Sequence, residues 1–258
     1  MKRMKKCLGI AVALTCASVD AKAREELHTF HCLHGCPEGT PDFDDIVVRE
    51  IYTLASNDLT KFADWVAYRI TPETIGQSGD RDWQPDPWLD DDETLEPADY
   101  TGAPAALLID RGHQAPLAAL SGTGSADDTN LLSNITPQGA ALNRGPWQRL
   151  ESKERSLVSS ERIALYVITG TLYERMMPMM PQADERHRVP SGYWKVIATE
   201  DGRMAAFIMD TSTAGNVNHC ATRASLDDVE LRARLILFPR LRQRQFRDLS
   251  PALGCTSP

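Results

Sequence analysis

Tyr193-Trp194-Lys195-Val196-Ile197-Ala198 and Met204-Ala205-Ala206-Phe207-Ile208-Met209-Asp210 flank Glu200-Asp201-Gly202-Arg203. An Asp-Gly pair between two apolar runs is a strong hairpin signal, because glycine accepts the positive φ that a tight two-residue turn demands. Working outward, Ile163–Gly170 reads as another strand. Farther back, Val47–Leu54 and Asp64–Ile70 read as two strands separated by the turn-like Ser56-Asn57-Asp58. Downstream, Ser225 followed by Asp228 resembles a capping box, opening a helix expected to run through Phe238. Hairpins outnumber the crossovers that parallel strands require. The expected class is therefore α+β, with a central, mainly antiparallel sheet flanked by helices.

The chain has 258 residues, 42% hydrophobic and 25% charged, which excludes a disordered chain, a collagen and a coiled coil. No apolar run reaches the roughly 18–20 residues of a membrane span. The N-terminus reads as a secretory signal. Lys2, Arg3, Lys5 and Lys6 precede the apolar Cys7–Ser18, and Ala21-Lys22-Ala23 is a small-x-small cleavage site. Ala13-Leu14-Thr15 before Cys16 is a poor lipobox. Residues 1–23 are thus expected to be removed, leaving 24–258 as one domain, since no linker or repeat divides it. Four cysteines would remain, Cys32, Cys36, Cys220 and Cys255. In an exported chain they suggest two disulfides with three pairings open, and proximity favours Cys32–Cys36 with Cys220–Cys255.

Charge gives a conflicting signal. The formal net charge is −8, and without Lys2, Arg3, Lys5, Lys6, Lys22 and Asp20 it becomes −12. Taken alone, that argues against a partner rich in phosphate. The charge is unevenly spread, however. Nine acidic residues fall between Asp80 and Asp99, and six arginines between Arg232 and Arg247. The basic run is expected to offset the acidic balance locally.

The reactive residue types gather in two segments. Ala105–Asp110 reads as an apolar strand ending at Arg111-Gly112-His113. Arginine offers a planar fork matched to phosphate, and histidine titrates near neutrality and can act as a general base. The second segment runs from Ser133-Asn134-Ile135-Thr136-Pro137-Gln138 through Leu142-Asn143-Arg144-Gly145-Pro146-Trp147 to Leu150-Glu151. Asn143, Trp147 and Glu151 follow helical spacing and share one face of an expected helix. An asparagine carbonyl there can hold a hard cation such as Mg²⁺ while leaving most of its water shell intact, and a carboxylate two turns on can act through that water. Pro146 requires either a kink in the helix or a position for Asn143 in its first turn.

Asp110-Arg111-Gly112-His113-Gln114-Ala115-Pro116 and the run from Ser133 to Glu151 resemble the signature of the DNA/RNA non-specific endonucleases, of the Serratia-nuclease type in the ββα-metal superfamily. The resemblance extends to Lys61–Tyr68, Pro97–Gly102, Leu172–Arg175 and Tyr193–Ile197, and so covers nearly the whole chain after the signal. It implies a ββα-metal active-site motif. The signal segment points to export, and the Asn134-Ile135-Thr136 glycosylation sequon inside the signature, silent in bacteria, points to a secreted or periplasmic bacterial enzyme. That enzyme would cut DNA and RNA without strong sequence preference, giving 5′-phosphorylated oligonucleotides. The resemblance makes His113 the general base and Asn143 the one direct protein ligand of Mg²⁺, with Mn²⁺ as a substitute. Glu151 would act on the metal through water, Arg111 and Arg81 would bind the scissile phosphate, and Asn134 would support the site by hydrogen bonding. A histidine base implies that activity declines below about pH 6.5.

Two other readings stand beside it. His28, His31, Cys32, His34 and Cys36 crowd one stretch in the manner of zinc ligands, as in an extracellular binding module without enzymatic activity. A secreted toxin with an immunity or inhibitor protein would use the same nuclease fold. The sequence leaves a homodimer open, and it implies no membrane partner.

Overall fold

In the computed structural model, residues 27–77, 79–243 and 245–255 are described. The expected signal segment, 1–23, lies outside them. The main sheet runs in the order β1 (Asp44–Val48), β2 (Tyr52–Asn57), β3 (Phe62–Ile70), β6 (Leu165–Leu172), β7 (Gly192–Ala198), β8 (Arg203–Asp210) and β10 (Arg247–Asp248), with β9 (Arg223–Ala224) also on β8. Its pairings are antiparallel apart from β8 with β10. The hairpin expected from Asp201-Gly202 is present, with Ala198 opposite Met204 and Gly202 at φ +80°.

Strand alternation sorts the side chains of β7 to two faces. Tyr193 and Ile197 join a core with Tyr68, Leu142, Trp147 and Leu150, while Trp194, Val196 and Ala198 join another with Trp65, Leu226, Val229 and Phe238. On the first face lies α4 (Gln148–Glu161), and on the second lies α5 (Leu226–Ala233). The sheet is therefore a two-sided core, and β7 is buried along its whole length. A smaller two-stranded sheet pairs β4 (Ile109–His113) with β5 (Ile135–Gly139), and α2 (Leu117–Leu120) lies between them in the chain.

Three expected elements have different bounds. Val47–Leu54 is two strands, because the chain reverses at Arg49-Glu50-Ile51, where the Arg49 N–H donates to the Tyr52 carbonyl at 2.9 Å. The charged residue inside the apolar run marks the turn, and its guanidinium is buried against the Asp86 carboxylate. Ala105–Asp110 is half helix: α1 (Ala103–Leu107) begins after Gly102 with Pro104 in its first turn, and the strand starts only after Leu108 turns left-handed. α5 has the reciprocal Ser225/Asp228 capping box, but it ends where Arg234 adopts φ +58°, short of Phe238. β5, which holds Pro137 and Gly139, carries no strand signal of its own. Its pairing with β4 is a tertiary contact that local periodicity does not carry.

Candidate active site

β4 brings Asp110-Arg111-Gly112-His113 alongside β5, with Arg111 opposite Pro137 and His113 opposite Ile135. Gly112 is needed for this approach, since a Cβ there would lie 2.6 Å from the Gln138 Cβ. The chain leaves β5 into α3 (Ala140–Leu142), a wide turn over Asn143–Trp147, and then α4. Asn143 and Glu151 are therefore not on one continuous helix. The break falls at Gly145 (φ −109°, ψ −113°) before Pro146, where a Cβ would meet the Gly215 carbonyl oxygen at 2.6 Å. The expected kink is present, and Asn143 lies on its N-terminal side. Two strands and a broken helix thus converge on a cavity of about 610 Å³, whose lining includes Arg81, Trp83, Asp110, Arg111, His113, Asn143, Arg144, Glu151 and Arg155.

The His113 Nε2 lies 3.2 Å from the Asn130 Oδ1. The Asn130 Nδ2 donates to the Asp80 carbonyl, so its Oδ1 is the acceptor. An amide oxygen only accepts, so His113 carries its proton on Nε2 and leaves the Nδ1 lone pair free. Trp83 covers the imidazole at 5.3 Å between ring centroids. Burial, with the nearby Arg81 charge, pushes His113 down to about 4 against the opposing Asn130 hydrogen bond. The imidazole is thus neutral at pH 7 with a wide margin.

Arg111 is held in place by its surroundings. Its guanidinium carbon sits 5.0 Å from the centroid of Tyr100 and 5.7 Å from that of Trp83, and Nη2 donates to the Pro97 carbonyl at 3.0 Å. Arg81 is exposed at the rim. Asn134 does not line the cavity. It is fully buried, accepts from the Ala115 N–H at 2.8 Å, and donates to the carbonyls of Ala115 and Thr129. It fixes the chain just after His113, and a glycan on this Asn-x-Thr sequon would have no room in the folded protein.

The Asn143 Nδ2 donates to the Asp110 carboxylate at 2.9 Å, which leaves its Oδ1 as the atom available to a cation. Arg144 holds the same carboxylate through Nε at 2.8 Å. Burial pushes Asp110 up, but hydrogen bonds from Arg144 and Asn143 outweigh it and hold the carboxyl below its usual range. Burial raises Glu151, with Lys195 opposing. The donors offered to a metal are one amide carbonyl and one carboxylate, both oxygen. This set suits a hard divalent cation that keeps most of its waters, and it suits zinc poorly.

The zinc module is overturned. Cys32 and Cys36 are joined in a disulfide, as are Cys220 and Cys255. His31 is buried and engaged by the Thr53 hydroxyl at 2.9 Å and the Glu50 carbonyl at 3.0 Å. None of the described arginines between Arg232 and Arg247 lines the cavity either. α5 and the described residues from Leu235 to Phe246 pack on the opposite face, Arg232 pairs with Glu174, and Arg247 pairs with Asp201. Positive charge at the cavity comes instead from Arg81, Arg111, Arg144 and Arg155. Asn130, Trp83 and Arg155 are given no role by the sequence, and Asp110 enters it only as part of the Asp110–Pro116 signature. Arg155 could have been singled out, since it follows Glu151 by one helical turn.

Known nucleases resemble this chain along most of its length. The chain is 44% identical to a nuclease of Serratia marcescens over 246 residues, covering 93% of this chain and 91% of that one. It is 28% identical to a nuclease of Syncephalastrum racemosum, over 82% of this chain and 72% of that one. It is 36% identical to human mitochondrial endonuclease G over 139 residues, 52% of this chain and 45% of that one. A solved structure, from the crystal structure of the EndoG/EndoGI complex, shares the fold at TM-score 0.69 and 23% identity, covering 81% of this chain and 91% of that one. Residues 36–243 match the model of the DNA/RNA non-specific endonucleases, and with that match and the Serratia relative, the chain belongs to this family of endonucleolytic hydrolases.

Proposed function

We propose that the chain is an exported, Mg²⁺-dependent endonuclease that hydrolyses DNA and RNA without strong sequence preference and leaves 5′-phosphates. The observation that carries this reading is one cavity holding a neutral histidine, four arginines and an oxygen donor pair. Phosphodiester hydrolysis needs a proton acceptor for the attacking water and cations for the developing charge. His113 accepts that proton at Nδ1, the position that Asn130 leaves free. Arg111 and Arg81 bind the scissile phosphate, and Arg155 adds positive charge on the α4 side. Asn143 would hold Mg²⁺ through Oδ1, with Glu151 acting through water and Asn134 fixing the turn behind His113. Bound there, Mg²⁺ would supply a Lewis acid for the phosphoryl and leaving oxygens. These groups address the sugar-phosphate backbone, which carries no sequence information.

Export rests on the signal-like residues 1–23 and the two disulfides. No helix among the described residues is long and apolar enough to cross a membrane. The catalytic domain would then span 24–258. The EndoG neighbour was solved with EndoGI in a study of EndoG inhibition, which favours an inhibitor protein as a partner class. The test is digestion of supercoiled plasmid and of RNA with Mg²⁺ or EDTA, with mass analysis of the ends. Cleavage of both polymers only with Mg²⁺ and 5′-phosphate ends is expected. Equal cleavage in EDTA, or cleavage of one polymer alone, would sink the reading.

A further inference from the structure

Lys195 stands in the middle of β7, in a strand buried along its whole length, and its side chain is wholly inaccessible. A lysine in such a place needs counter-charges. Its Nζ lies 3.5 Å from the Glu151 Oε1, 3.3 Å from the Glu154 Oε1, 3.4 Å from the Tyr68 hydroxyl and 4.4 Å from the Trp147 ring centroid. Glu154 is as inaccessible as the lysine, whereas Glu151 reaches the cavity wall. The ammonium therefore bridges a carboxylate that faces the cavity and one sealed behind it, one turn further along α4. Because Lys195 belongs to the central sheet, this bridge ties the Glu151 side chain to a strand buried along its whole length.

We propose that Lys195 is a positioning residue for the metal site: it anchors one oxygen of Glu151 to the sheet and leaves the other to face the cavity beside Asn143. This inference rests on the metal reading above and adds a partner from outside the cavity. Glu154 and Tyr68 hold Lys195 from behind, and Trp147 flanks it, so the anchor cannot swing away. Groups one step removed from a metal typically change its affinity by about 10–100-fold when removed.

The test uses Mn²⁺ as the probe, with binding to the full protein followed by the electron paramagnetic resonance signal of free Mn²⁺. Lys195→Met alone leaves Glu154 buried without a partner and endangers the fold, so the decisive variant is Lys195→Met with Glu154→Gln, checked for folding by circular dichroism. It should bind Mn²⁺ about 10–100-fold more weakly than the unmodified protein. Its kcat should recover as Mg²⁺ is raised, with KM for DNA unchanged. In a Glu151→Gln background the same pair of changes should have no further effect on Mn²⁺ affinity, an outcome that general destabilisation would not give. Mn²⁺ affinity within about twofold of the unmodified protein, a kcat loss that Mg²⁺ does not recover, or full additivity with Glu151→Gln would overturn the proposal. Asn143→Ala is the control for the underlying reading. If it binds Mn²⁺ as well as the unmodified protein does, the metal assignment itself fails, whatever Lys195 does.

Discussion

The proposed role of His113, accepting a proton at neutral pH, requires an unprotonated imidazole, and its surroundings favour one. Burial and Arg81 disfavour the imidazolium and hold the group down to about 4, although Asn130 pulls the other way. A lowered pKa keeps the base competent as pH falls, so the acid limb moves below the pH 6.5 expected of an unperturbed histidine. In the free enzyme, kcat/KM should stay level from pH 7.5 to about 5.5 and fall only below that. His113→Ala should reduce kcat by about 10²–10⁴-fold with DNA binding retained. An acid limb centred at pH 6.5 or above would show that the imidazole is as well solvated as in a free peptide. At this scale the sequence is informative about residues whose chemistry is unusual for their place, such as Arg111, His113 and Asn143. It is silent about Asn130 and Trp83, an ordinary amide and an ordinary aromatic until the fold sets both against His113.

Among the elements, hairpins with chemical punctuation were legible, as Asp201-Gly202 and the Ser225/Asp228 cap show. Val47–Leu54 was not, because an apolar run continues through its turn and only the burial of Arg49 against Asp86 explains the reversal. The helix carrying Asn143 and Glu151 is the instructive case. Helical spacing put both residues on one face, and both do line the cavity, yet a break at Gly145-Pro146 separates them. The break lets the Gly215 backbone approach, so Gly145→Ala must displace either that loop or α3. Forcing extra atoms into such a contact usually costs about 1–3 kcal/mol. We expect a lower urea midpoint and a raised Mg²⁺ requirement, because Asn143 lies on one side of the break and Glu151 on the other. A Gly145→Ala protein with an unchanged Mg²⁺ requirement would mean that the break serves packing alone.

Over the whole molecule, the sheet separates the site from α5 and the described residues up to Phe246, so the expected basic run does not offset the acidic balance at the cavity, where Arg81, Arg111, Arg144 and Arg155 supply the positive charge. The same division separates the two disulfides. Cys32–Cys36 belongs to the core on the α5 side, while Cys255 and Leu253 join the core under α4, together with Leu150 and Trp147. The bridges also differ in span, with sequence separations of 4 and 35. Loop-closure entropy assigns about 2 kcal/mol to the short bridge and about 4 kcal/mol to the long one. The two effects act together for Cys220–Cys255, since it closes the larger loop and pins the segment that packs against the helix bearing Glu151. Paired alanine substitutions should therefore rank unequally. Cys220→Ala with Cys255→Ala should lower the urea midpoint more than Cys32→Ala with Cys36→Ala, and it should also lose activity at temperatures where the other variant is fully active. The reverse order of midpoints would mean that the small N-terminal loop, and not the clamp on α4, limits the stability of the enzyme.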